Sequence, residues 1–334
     1  MSVLVKLAWL LVTVVVTAMV LLVGALIAFW APDQPLRQLA ERWAPAPSQF
    51  IDLQGMQVHV RDEGPRADSS SAIPIILLHG TGASLHTWDG WSAALTQQRR
   101  VIRVDLPGFG LTGPEPNRDY SMARYAEFVM AVADHYQLSQ FHLGGNSLGG
   151  RIAWYTAALN PERVQRLVLV DASGGYPLQA ESVPLAFKIA SNPLFSGLMN
   201  YMLPRAVIRS SVENVYGDPS LVTEELVDLY YAMSVRSGNR QALRDRFAQD
   251  PLNNPQAVAH EQTLIQGLQQ PTLILWGALD RLIPVSHAHQ YAADLQHHQL
   301  HIFAELGHIP HEEDPAATVA PVLTFLAEET AAHE

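Results

Sequence analysis

The chain has 334 residues, no cysteine and a formal net charge of −11, with 21 Lys and Arg against 32 Asp and Glu. That length can bury a large core without staples, and the lack of cysteine removes disulfides, thiolate catalysis and cysteine-bound zinc. Lysine occurs only at Lys6 and Lys188 and no basic run is present, which argues against nucleic acid as a partner and against electrostatic adhesion to an anionic bilayer.

The N-terminal stretch from Leu7 to Trp30 carries no charge over 24 residues. As a helix it would cover about 36 Å, more than the roughly 30 Å of a hydrocarbon core, with Trp9 and Trp30 near its ends. The expectation is a short tail and transmembrane helix at 1–30, retained in the mature protein. A cleaved signal peptide competes, but the apolar run exceeds the usual length and no small-x-small site precedes Ala31-Pro32. A bacterial inner-membrane protein with its domain facing the periplasm is the expected location. The segment 31–48 places Leu36, Leu39 and Trp43 at helical spacing, either as an amphipathic juxtamembrane helix or as a linker packed on the domain. Homodimerisation through these helices stays open, since Gly24 alone does not specify an interface.

Beyond residue 48, two short strands are predicted around Gly55, then a polar surface loop at 64–71 and a solid apolar strand, IPIILLHG. A helix around 88–98, a strand at 101–105, a helix at 121–136 opened by Ser121, the strand QFHLGG, a helix at 148–159 and a strand at 164–171 follow. Such alternation implies a mostly parallel sheet covered by helices on both faces. It lapses at 176–255, a helical region expected to form a cap, and resumes with the strand TLILWG at 272–277, a helix near 286–295, a strand at 299–303 and a final helix at 315–329. The domain is thus read as a core in two parts, 49–175 and 256–330, interrupted by the cap.

Chemistry concentrates at strand ends. Gly145-Asn146-Ser147-Leu148-Gly149 sits between a strand and a helix, where a sharp turn would expose the Ser147 hydroxyl and turn the Leu148 N–H towards a developing oxyanion. A serine needs a base, and His308 follows the last strand by five residues, with His311 its nearest rival. Asp280, directly after TLILWG, is the favoured acid, and Asp171, at another strand end, is the alternative. The loop His79-Gly80-Thr81-Gly82 should supply the second oxyanion donor, the N–H of Thr81, and Asp105 in DLPGFG should stabilise its own turn.

LLHGTG, DLPGFG, GNSLGG, LILWGALDRLIP and ELGHIPHEEDP stand in the order of the α/β-hydrolase superfamily, which the chain strongly resembles over roughly residues 50–330. Within it the chain looks most like bacterial esterases and lipases of the Moraxella type, and more loosely like membrane-anchored phospholipases A. The resemblance implies Ser147, Asp280 and His308 as nucleophile, acid and base, Thr81 and Leu148 as oxyanion donors, and no metal or other cofactor. It does not choose a substrate through Asn146. Serine at position 147 sets aside the dehalogenase and epoxide hydrolase chemistry of relatives that use aspartate there. The expected activity is membrane-anchored hydrolysis of carboxylic esters, on acyl lipid or a small ester, with a carbon–carbon bond hydrolase or a general short-chain esterase as alternatives and a catalytically silent scaffold behind them.

Overall fold

Runs of Val, Ile and Leu bounded by glycine and polar turns build an eight-stranded sheet in the computed structural model, which describes residues 2–66, 72–192, 194–250 and 254–331. The strands are β1 Gln49–Leu53, β2 Met56–Glu63, β3 Ile75–Leu78, β4 Val101–Val104, β5 Phe141–Asn146, β6 Val164–Val170, β7 Thr272–Gly277 and β8 His298–Phe303. Their order is β1-β2-β4-β3-β5-β6-β7-β8, antiparallel where β1 meets β2 and β2 meets β4, and parallel from β4 onwards. Most of the expected loop at 64–71 lies outside the described residues.

The central strands β3, β4, β5 and β7 are buried at every position. Alternate side chains serve opposite faces, as a pleated strand requires. Ile76, Leu78, Leu143, Leu169 and Ile274 pack with Phe128, Val132, Ile152 and Trp154 of the helices Met122–His135 and Leu148–Leu159. Ile75, Leu77, Val168 and Leu273 pack instead with Trp88, Trp91, Val322 and Phe325. The helix Met122–His135 opens where Ser121 Oγ accepts the Arg124 N–H at 3.3 Å, which satisfies one of its orphan donors.

Between β6 and β7 the chain leaves the sheet for the helices Leu185–Ala190, Arg205–Val215, Glu224–Val235 and Asn239–Gln249. They share an apolar core of their own that includes Met199, Ile208, Val212 and Val227. The next helix, Pro255–Gln266, rejoins the body, where its Glu261 takes both Nε (3.0 Å) and Nη2 of buried Arg151 and also accepts the Gly175 N–H at 2.9 Å.

The N-terminal helix spans Val3–Ala28 with no buried side chain. Its mean hydropathy of 2.9 makes it long and apolar enough to cross a membrane by length and composition alone, and a signal sequence passes the same test. After it the backbone is strapped to the cap: Leu203 N–H donates to Phe29 O (3.1 Å), Ala31 N–H to Tyr201 O (2.9 Å) and Gln34 N–H to Val235 O (2.8 Å). The helix Leu36–Trp43 buries Leu39 against Leu111, Ala232 and Met233, so this turn lies on the body.

Arg151 and Glu261 are both almost wholly buried, so removing the arginine strands the charge of the glutamate. Arg151→Met is expected to lower stability by about 3–5 kcal/mol in urea unfolding, and adding Glu261→Met should recover much of that loss.

Candidate active site

Ser147 joins β5 to the helix Leu148–Leu159 with φ +52° and ψ −115°, a conformation that an L-residue adopts only when its surroundings force it. The forcing contacts are on both sides. Ser147 N–H donates to Val170 O at 3.0 Å, while Ser147 O accepts the N–H groups of Arg151 (3.0 Å) and Ser173 (3.1 Å). Glycine is required beside it because the helix start presses on β3: a Cβ at Gly149 would lie 2.1 Å from Leu78 O, and one at Gly145 would lie 2.3 Å from Gly149 O. The turn leaves the Ser147 side chain on the wall of a cavity shared with His308. Among the described residues its hydroxyl has no hydrogen-bond partner, and such contacts often tighten only when substrate is bound.

His308 lies on the loop after β8 and is held by its backbone N–H, which donates to Val215 O of the cap at 2.8 Å. Its Nδ1 is 2.7 Å from Asp280 Oδ2. The other oxygen of Asp280 accepts the N–H groups of Leu282 (2.8 Å) and Ile283 (2.9 Å), so the carboxylate is fixed and the imidazole carries its proton on Nδ1. Nε2 is then the nitrogen free to exchange a proton.

Of the two expected acids, the structure pairs Asp280 with the histidine. Asp171 stands in the same buried cluster, within 4.8 Å of both, but its own bond is to Gly277 N–H at 3.0 Å. Burial, then the adjacent charge of Asp280, pushes the Asp171 carboxyl well above the usual carboxylate range. His311 is a core residue: its ring lies 4.1 Å from that of Trp88 and its Nε2 is 2.9 Å from Thr87 Oγ1. Burial, then the neighbouring His308, pushes its pKa down to about 3.

Thr81 lines the same cavity as Ser147, and Leu148 is the first residue of its helix, where the N–H has no intrahelical acceptor. The loop carrying Thr81 is pinned by His79, whose Nε2 accepts the Leu106 N–H at 3.0 Å while Nδ1 lies 2.8 Å from Gly80 O. Asp105 stabilises more than its own turn, since it accepts the N–H groups of Leu85 and Leu111 (2.7 Å each) and meets His59 Nδ1 at 2.7 Å. Burial alone would raise its pKa, but the histidines around it hold it below the carboxylate range.

One further residue ties the site together. Asn146 Nδ2 donates to Val170 O (3.1 Å) and to His308 O (2.9 Å), linking the serine turn to the histidine loop. Its position beside Ser147 is visible in the sequence, but its partners lie far along the chain. The cavity has about 940 Å³ of empty space, including open solvent at its mouth, and is walled mainly by apolar side chains such as Phe109, Phe187, Met199, Ile208 and Leu243.

A family model described as alpha/beta hydrolase fold matches residues 73–315. The chain is 30% identical over 299 residues to a 2-hydroxymuconate semialdehyde hydrolase of Pseudomonas putida, covering 88% of this chain and 99% of that protein. The solved structure of a meta-cleavage product hydrolase from Pseudomonas fluorescens IP01 is similar at a TM-score of 0.72 and 28% identity, covering 85% of this chain and 98% of that one. A membrane phospholipase A is similar at a TM-score of 0.69 over 97% of each chain, and at 24% identity that likeness speaks for the fold alone.

These matches correct four expectations: a lipase or phospholipase A branch, the carboxylic ester hydrolase class, a lipid substrate and an inner-membrane, periplasm-facing location. Compounds such as 2-hydroxymuconate semialdehyde contain no ester, so the chemistry of these relatives differs from ester cleavage. The motifs behind the lipase resemblance build the serine turn and its oxyanion loop, which do not distinguish the bond that is cut. The location rested on the uncharged apolar run Leu7–Trp30, and the helix that contains it by itself does not place the chain.

Two outcomes follow from this geometry. Gly149→Ala should cost most of the activity, because the helix start must move away from Leu78; serine labelling by a fluorophosphonate compared with wild type measures it. His311 resists protonation when folded and accepts it when unfolded, so its contribution lowers stability as pH falls from about 6.5 towards about 3 and is absent above that window. Urea titrations at stepped pH should show a shallower acid slope in His311→Gln, by up to about 1.4 kcal/mol per pH unit.

Proposed function

We propose that this chain, which belongs to the α/β-hydrolase family, hydrolyses a carbon–carbon bond beside an aldehyde or ketone in a conjugated 2-hydroxy-6-oxo acid. The observation that carries the reading is the match to a 2-hydroxymuconate semialdehyde hydrolase over nearly the whole of that protein, in a chain where Asp280 holds His308 and Ser147 faces the same cavity.

Water can cut such a substrate only at a carbon–carbon bond. The bond to break runs from the 6-carbonyl to C5, and its electron pair must leave on C5. A vinylic C5 would hold that pair poorly, so the 2-hydroxyl proton must first be relocated to C5, which makes that carbon tetrahedral and the 2-oxygen a ketone. Ser147 Oγ then attacks the 6-carbonyl as His308 Nε2 takes its proton, and the oxyanion accepts the N–H groups of Thr81 and Leu148. Collapse forms the acyl-serine and releases the pair from C5 into a dienolate, which His308 protonates. Water deprotonated by His308 removes the acyl group as an acid. Asp280 supports the imidazolium at both stages, as its short bond to Nδ1 allows.

Loss of the substrate's conjugated absorbance provides the test, with 2-hydroxymuconate semialdehyde and 2-hydroxy-6-oxo-2,4-heptadienoate as substrates. Wild-type protein should bleach at least one of them, with Ser147→Ala down by about 10⁴-fold or more and Asp280→Asn by about 10³–10⁴-fold in kcat. No serine-dependent bleaching of either would sink the proposal.

A further inference from the structure

A second serine of this chain is bonded to a histidine and, through it, to a carboxylate, at a place that does not line the cavity of Ser147 and His308. His59 and Arg61 share one face of β2, as alternation along a strand requires. Gln49 of β1 pairs with Val60, so Ser48, just ahead of β1, comes over that face. Ser48 Oγ lies 2.9 Å from His59 Nε2 and accepts the Arg61 Nε–H at 3.0 Å. His59 Nδ1 in turn lies 2.7 Å from Oδ2 of Asp105, the residue that follows β4.

The carboxylate fixes the direction of these bonds. Asp105 also accepts the N–H groups of Leu85 and Leu111, and an ionised carboxylate only accepts, so His59 carries its proton on Nδ1. Nε2 is then an acceptor, and the Ser48 hydroxyl donates to it. Oγ has two lone pairs; the Arg61 bond occupies one and leaves the other to attack. The imidazole is held in place, since its ring stacks on that of Phe50 with centroids 5.2 Å apart and the His59 backbone N–H donates to Thr112 Oγ1 at 3.0 Å. His59 and Asp105 are wholly buried, whereas Ser48 is only half-buried. A hydroxyl joined in this way to an oriented imidazole is the arrangement that turns serine into a nucleophile.

We propose that Ser48 is a second nucleophilic serine, a site of covalent modification by activated acyl and phosphonyl donors. Ser48 Oγ bonds to the acyl carbon or to phosphorus as its proton passes to His59 Nε2; the bond to the leaving group breaks, and His59 hands the proton to that group. Asp105 supports the imidazolium between those steps, and the Arg61 guanidinium favours negative charge developing at Oγ. The Ser48 N–H is taken by Pro45 O at 2.9 Å and cannot hold an oxyanion, so the site supports a single modification and not turnover. Nothing in it depends on the carbon–carbon reading.

Fluorophosphonate labelling of the full chain, followed by peptide mapping, provides the test. Ser147→Ala protein should carry label on Ser48, with exposed serines such as Ser121 and Ser220 unmodified. Adding Ser48→Ala should abolish labelling. His59→Gln, which can reach both Asp105 and Ser48 but cannot take a proton, should slow labelling of Ser48 by at least about 100-fold, with a urea midpoint measured beside it to score folding. Absence of label on Ser48 in Ser147→Ala, or label spread over the exposed serines, overturns the proposal without any substitution in the Ser48 site. An undiminished rate in folded His59→Gln overturns it as well. Label on Ser48 and none on Ser147 in wild-type protein would uphold this site while counting against Ser147 as the nucleophile of the carbon–carbon reaction.

Discussion

The left-handed turn at Ser147 is the constraint from which the rest of the site follows. A side chain at positive φ must be paid for by its surroundings, and here the supports are the carbonyl of Val170 beneath it and two glycines that let the helix Leu148–Leu159 press against β3. Parallel strands deliver those supports from three directions. β3 brings the oxyanion loop, β6 brings Val170 and Asp171, and β7 brings Asp280, all at the same edge of the sheet.

The cap is coupled to that edge by polar contacts at the histidine loop. Glu312 accepts the hydroxyls of Tyr216 (2.7 Å) and Thr87 (2.5 Å), and Glu313 accepts the N–H groups of Gly307 (2.7 Å) and Gly217 (2.8 Å). Burial pushes both carboxyls above their ordinary range, although the hydroxyls and N–H groups they accept pull them back down. The backbone of His308 is bonded to Val215 in the same region. Cap position and imidazole position are therefore one mechanical problem, and the pocket roof cannot shift far without disturbing His308.

The sheet was legible because its strands are short, solidly apolar and closed by glycine or aspartate, so period and punctuation agree. Ser147, Asp280 and His308 were legible for a related reason: each follows the end of a strand within five residues, where turn residues punctuate the sequence. Asn146 and Asp171 were only half visible, because what they touch comes from residues up to 162 positions away. The choice of ester over carbon–carbon chemistry misread motifs that build the shared machinery and are silent on the leaving atom. A long apolar helix then lent that choice a lipid that the relatives do not support.

The strap at residues 29–34 alters where this protein can be said to begin. The family match opens at residue 73 and the sheet at Gln49, yet Phe29, Ala31 and Gln34 bond to the cap backbone and Asp33 holds Arg240. A boundary drawn from homology or from the first strand would cut away part of the pocket's frame. The folded unit is longer than the recognisable one, so trimming the chain to the matched segment would leave the cap without the backbone bonds that residues 29–34 supply.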